Sequence, residues 1–159
     1  MSNSSELQPE TRVNPIELAA LVSDRVQIDD VILTKFSGSR EADTNPSDDS
    51  FTTQSNITRY GINKDEDEGK LFVFLDFELK GSKHDQENLP SLEVSAAFVV
   101  VYTLNSFDGL TEDNFQAFAM LNGVFNAWPF WREFVRSATS RMGLPPVIVP
   151  VHRIGKPGK

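Results

Sequence analysis

The chain has no cysteine among its 159 residues. That excludes disulfides, thiolate metal sites and a thiol nucleophile, and it fits a reducing compartment. Histidine is nearly as scarce. His84 and His152 sit in polar or tail segments without a spaced His, Asp or Glu set beside them, and read as solvated residues rather than ligands or bases. The glycines stand apart from one another, at 38, 61, 69, 81, 109, 123 and 143 before the C-terminal tail, so no phosphate-cradling loop exists. Ser137, Thr139 and Ser140 follow a helical pattern with no partner base. Cations are the minority sign: 15 Lys and Arg against 23 Asp and Glu give a formal charge of −8. That balance argues against a nucleic-acid surface and fits solubility or docking to a basic partner. No apolar run approaches the roughly 18 residues of a membrane span. Met1 to Arg12 lacks the basic-then-apolar layout of a signal peptide, so a cytosolic location is expected. These absences leave no expected catalytic residue, metal or cofactor.

What is present reads as one α+β domain over residues 13–154, with a disordered tail at 1–12 and a short tail at 155–159. Asn14-Pro15 opens a short helix through Ser23, as an N-cap followed by proline at the first helical position. A strand is expected from Val26 to Phe36, with Asp29 and Asp30 in its middle, then a mobile loop from Ser37 to Ser50. A second strand is expected from about Asn56 to Asn63, and Asp65-Glu66-Asp67-Glu68-Gly69 reads as a hairpin turn. Lys70 to Lys80 alternates strictly: Leu71, Val73, Leu75, Phe77 and Leu79 take one face, and Phe72, Phe74, Asp76, Glu78 and Lys80 the other. Leu92 to Leu104 is a long apolar strand. Thr111 caps a helix carrying Phe115, Phe118, Ala119, Leu121 and Phe125; Asn122-Gly123 weakens it, and Pro129 is expected to start a new helix. Gly143 is the expected C-cap, with an extended segment from Leu144 to Pro150. Adjacent strands joined by polar loops imply a four-stranded, mainly antiparallel sheet with helices packed on one face.

The densest feature is Asn126-Ala127-Trp128-Pro129-Phe130-Trp131-Arg132-Glu133, which holds both tryptophans. On a helical period Trp128, Trp131, Val135, Ala138 and Met142 form one stripe, with Phe130 and Phe134 beside it. A helix covering one sheet needs an apolar arc of only about 100°. The wider arc implies two buried faces, one against the chain's own domain and one against something else. Trp128, Phe130, Trp131 and Phe134 either fill the core or share that second contact. The sheet's wet face carries Asp76 and Glu78 beside Phe72 and Phe74, with Asp29 or Asp30 and Glu93 as neighbours. It reads either as charge that blocks edge-to-edge association or as an acidic and aromatic docking surface.

Together, Asn126, Trp128-Pro129-Phe130-Trp131-Arg132-Glu133, Ser140-Arg141, Leu144-Pro145-Pro146 and Val149-Pro150-Val151 resemble the SecB family of protein-export chaperones. The resemblance is specific over Thr111 to Val151 and consistent in strand order from Val26 to Leu104. It implies an ATP-independent holdase without cofactor or metal, a homotetramer built as a dimer of dimers with its long helices between the dimers, and unfolded or precursor polypeptides held in apolar grooves. Phe72, Phe74, Phe125, Trp128, Phe130 and Trp131 are the client-binding candidates, and Asp76 and Glu78 the candidates for docking the SecA export motor. SecB has a further C-terminal helix for which no room remains before Lys159, which leaves the sheet face as the expected SecA contact. The added helix at Pro15 to Ser23 is similar to SecB-like chaperones that serve toxin–antitoxin systems, so a dedicated antitoxin chaperone is the near alternative. A small α+β ligand-binding or hydrolase domain with an enclosed pocket is the distant one.

Overall fold

The computed structural model describes residues 13–153. The expected tails at 1–12 and 155–159, and Ile154 at the expected domain boundary, lie outside those residues. In chain order the elements are α1 (Pro15–Ser23), β1 (Val26–Arg40), β2 (Phe51–Asp65), β3 (Lys70–Lys83), a single 3-10 turn (His84–Gln86), β4 (Leu92–Leu104), α2 (Glu112–Phe118), a π turn (Ala119–Gly123) and α3 (Val124–Arg141). The strands form one four-stranded sheet in the order β1-β4-β3-β2. Every pairing is antiparallel. The fold is α+β with the helices on one face of the sheet.

Alternation decides that arrangement. On β3 the odd residues from Leu71 to Leu79 are buried, and on β4 the even ones from Leu92 to Leu104 are too. Register places Leu75 beside Phe98 and Val73 beside Val100, so the two buried parities share one face. Phe115, Phe118, Val124, Ala127, Trp131 and Val135 close over it. Among the described residues no helix is long and apolar enough to cross a membrane.

Local capping holds the helix ends. Asn14 Oδ1 accepts from the Ile16 N–H at 3.0 Å, and Pro15 sits where a helix has no use for an N–H. Thr111 and Asn114 form a reciprocal capping box at α2. At the end of α3 the Leu144 N–H reaches the Thr139 carbonyl and the Gly143 N–H that of Ser140. Those two bonds are a Schellman motif, with Gly143 in the left-handed region at φ 72°.

Three expectations need correction. First, β1 runs on to Arg40 instead of ending at Phe36, and β2 begins at Phe51 rather than about Asn56. Both are edge strands, and their missed ends, Ser37–Arg40 and Phe51–Ser55, are mostly polar, so they lack the apolar alternation that marks β3. Arg40 fixes the end of β1 by donating to the carbonyls of Glu41, Ala42 and Met142. Phe51 settles over Gly81, where a Cβ would lie 2.6 Å from its ring. Second, Pro129 starts no helix: it lies inside α3. Pro129 and Phe125 are both exposed, so the Phe125 carbonyl that loses its helical donor faces water. Third, Gly123 does not weaken the helix into a break. It is a point of close approach, since a Cβ there would stand 2.8 Å from Val73 Cγ1. The π turn carries the chain over that contact without interrupting the helix.

Candidate functional site

Helix α3 organises the surface. At about 100° per residue, Val124, Ala127, Trp131, Val135 and Thr139 point to the core, and all five are buried. Trp131 is 0% exposed, stacks on Phe77 at 5.5 Å between ring centroids and donates its indole N–H to Ser55 Oγ at 2.9 Å. It is a core residue and touches no solvent. It therefore leaves the group of client-binding candidates, because no partner reaches it without unfolding the helix from the sheet.

Beside that buried stripe, the chain itself covers part of a second flank of α3. Leu144 to His152 runs back along the helix as an extended strap. Thr139 Oγ1 accepts from the Val147 N–H at 3.1 Å, Arg132 Nε donates to the Val149 carbonyl at 2.8 Å, and Trp128 Nε1 donates to the Pro150 carbonyl at 2.7 Å. The His152 ring lies 5.0 Å from the Trp128 ring. Within the strap Val147 and Val149 are buried, whereas Ile148 is 74% exposed. The arc that is too wide for one sheet is thus partly accounted for in cis.

The remaining candidates divide among three places. Phe125 is 51% exposed on the strap flank of α3, with Trp128, Arg132 and Arg136. An open groove of about 610 Å³ runs there, lined by Pro129, Arg132, Glu133, Arg136 and strap residues 146–149. Phe130, 47% exposed, occupies the opposite flank with Phe134 and Ser137. That flank faces the β1 edge, where Phe36 is 66% exposed and meets Phe134 edge-on at 5.7 Å. A second open groove of about 460 Å³ lies between them. Ile28, Ile32 and Leu33 of β1 are also exposed. Sequence reasoning gave those residues no role, although their signal was present: β1 carries apolar residues at both parities, unlike a strand with one wet face.

Phe72 and Phe74 lie on the uncovered face of the sheet, opposite the helices. Across the register they neighbour Val101 and Val99. Asp76 and Glu78 share this face, as expected, and each has a cation beside it: Asp76 with Arg59 at 3.6 Å and Glu78 with Lys80 at 3.1 Å. Exposed pairs of this kind are worth only about 0–1 kcal/mol, so a partner displaces them cheaply. At one end of the face Asp29 accepts from Lys70 Nζ and Thr103 Oγ1, each at 2.7 Å. Those two hydrogen bonds, the lysine's first, hold its carboxyl below the usual aspartate value. The cluster pins the β1 bulge between Ile28 and Asp30 to β3 and β4. The six aromatic candidates therefore do not form one groove. Two lie on the open face, Phe125 and Trp128 on the strap flank, Phe130 on the β1 flank, and Trp131 in the core.

Among the described residues, no group of three or more His, Cys, Asp or Glu is placed to hold a metal ion. His84 is exposed and lies 3.6 Å from Glu87 in its turn.

No protein-family model and no curated protein matches the sequence. Among solved structures, the SecB-like chaperone of Mycobacterium tuberculosis, in complex with a ChAD peptide from the HigA1 antitoxin, aligns with a TM-score of 0.76 at 20% identity, over 88% of this chain and 99% of that one. A protein of unknown function from Streptococcus agalactiae aligns at a TM-score of 0.38 and 10% identity, over 79% of this chain and 96% of that one, too distant to inform the fold. The chain has the SecB-like fold, with the additional helix α1.

Proposed function

We propose that this protein is an ATP-independent chaperone that holds unfolded polypeptide on the strap flank of α3. The observation that carries the reading is the open groove along α3 lined by Pro129, Arg132, Arg136 and strap residues 146–149, with the exposed Phe125 one helical turn before Pro129, on a fold shared with a chaperone solved with a peptide bound. An extended client buries side chains against such a groove with little sequence preference. Nothing in that process needs nucleotide or metal. The larger cavities among the described residues are open grooves rather than enclosed pockets, which disfavours the ligand-binding or hydrolase alternative.

The other two surfaces fit two other partners. The β1 flank, with Phe36, Leu33 and Phe130, suits a second copy of the chain and supports assembly toward a homotetramer. The open face, with Phe72, Phe74, Asp76 and Glu78, suits a docking partner such as the SecA export motor. A dedicated antitoxin chaperone is the second reading, favoured by the antitoxin peptide in the similar structure. Both readings share one binding chemistry and differ in the client.

The surfaces separate by mutation. Phe125→Ser is expected to weaken suppression of a model client's aggregation while leaving the mass in solution unchanged. Phe36→Asp is expected to lower that mass. If Phe125→Ser holds clients as well as the parent does, the client surface lies elsewhere.

A further inference from the structure

We propose that the flank of α3 now covered by Leu144–His152 is itself a polypeptide track, and that this strap is an internal stand-in which a client displaces. The proposal rests on the chaperone reading above and says how its site is kept closed.

Three observations carry it. The polar contacts that hold the strap on the helix flank run from helix side chains to strap main chain: Thr139 to the Val147 N–H, Arg132 to the Val149 carbonyl and Trp128 to the Pro150 carbonyl. Contacts to peptide groups are indifferent to sequence, so the same three side chains can receive any extended chain. The strap is also built to stay extended and weakly tied. Pro145, Pro146 and Pro150 have no N–H to give a ladder, and proline keeps its predecessor out of helix. Its apolar residues alternate, Val147 and Val149 facing the helix and Ile148 facing water. Finally, the groove of about 610 Å³ beside it gives an incoming segment a foothold before the strap leaves. Gly143, at φ 72°, stands at the hinge.

The occupant this track fits is an extended, unfolded segment with aliphatic, preferably β-branched, side chains two residues apart. Its inward side chains replace Val147 and Val149, and its carbonyls take the Arg132 and Trp128 donors.

The test uses the full chain and a reduced, carboxymethylated protein that cannot fold. Hydrogen exchange at the Val147 amide is followed with and without this client, alongside client affinity for the parent, Val149→Ala and Arg132→Met. Val149→Ala loosens the strap but spares the track, so client affinity is expected to rise about tenfold. Arg132→Met takes the same carbonyl donor from the strap and from the client that would replace it, so affinity is expected to stay within about twofold of the parent. The Val147 amide is expected to lose protection as client binds. Retained protection in the client-bound protein, or weaker binding by both variants, overturns the strap proposal and leaves the chaperone reading intact. So does loss of protection that follows protein concentration without client, which marks strap exchange between copies. Failure of the parent to bind the unfolded protein at all overturns the chaperone reading instead.

Discussion

Replacing Trp131 by alanine separates a core residue from a subunit contact. The side chain is fully buried, stacked between Phe77 at 5.5 Å and Phe134 at 6.3 Å, with its N–H bound to Ser55. Truncating a buried Trp to Ala costs about 3–5 kcal/mol, because transfer and cavity terms add. The lost hydrogen bond contributes about 1 kcal/mol of that. Ser55 is half-buried, so water can replace the indole and the cost stays within the range. For a domain of this size the melting temperature should fall by about 10–15 °C. Trp131→Phe keeps the stack and loses the donor and part of the volume, so it should cost far less. Urea unfolding gives both free energies, and sedimentation well below the transition gives the mass. A Trp131→Ala protein that melts like the parent but loses subunits would refute the core assignment and restore the residue to the oligomer surface.

Two further outcomes follow from the packing. Gly123→Ala puts a methyl 2.8 Å from Val73 Cγ1; despite alanine's better helix propensity it should destabilise by about 1–3 kcal/mol, and adding Val73→Ala should recover part of the loss, measured by urea unfolding. Burial pushes the Tyr102 hydroxyl up to about 12, against a smaller opposing pull from the hydrogen bond that Asn126 donates. A raised value means that the neutral phenol is favoured by folding, so its contribution is complete below pH 10 and is lost as pH rises toward 12. Alkaline unfolding should steepen across that window in the parent and flatten in Tyr102→Phe; equal pH profiles for the two proteins would remove Tyr102 as the cause.

How far the fold was legible depended on burial. The central strands β3 and β4 declared themselves because each has one dry face, which imposes a period of two on the residues. The edge strands were expected but with ends too short, because Thr52, Thr53, Gln54 and Asn56 face water on a strand whose pairing is set by main-chain bonds and by Phe51 over Gly81. Pro129 misled for a related reason. A proline on a helix's solvent side releases a carbonyl to water instead of burying it, so the local rule against proline was overridden. The width of the aromatic arc on α3 implied a second contact with something outside the domain, and within the chain only the flank at Trp128 and Arg132 is partly covered, while Phe130 stays exposed. It did not say that the chain's own strap does that covering, because capture by Thr139, Arg132 and Trp128 acts on backbone atoms and leaves no periodic mark. The sequence did not say which aromatic candidates belong to which surface, and they separate for a geometric reason. Phe72 and Phe74 project from the face of the sheet opposite α3, and Phe125 and Phe130 fall about 140° apart on that helix.

The most direct test of the central claim is light scattering from a chemically denatured client diluted into the purified protein without nucleotide. Suppression of aggregation near one client per assembled particle, unchanged by added ATP and reduced by Phe125→Ser, is the expected result. A protein that leaves the client's aggregation untouched at several-fold molar excess contradicts the claim, however closely its fold matches that of a chaperone.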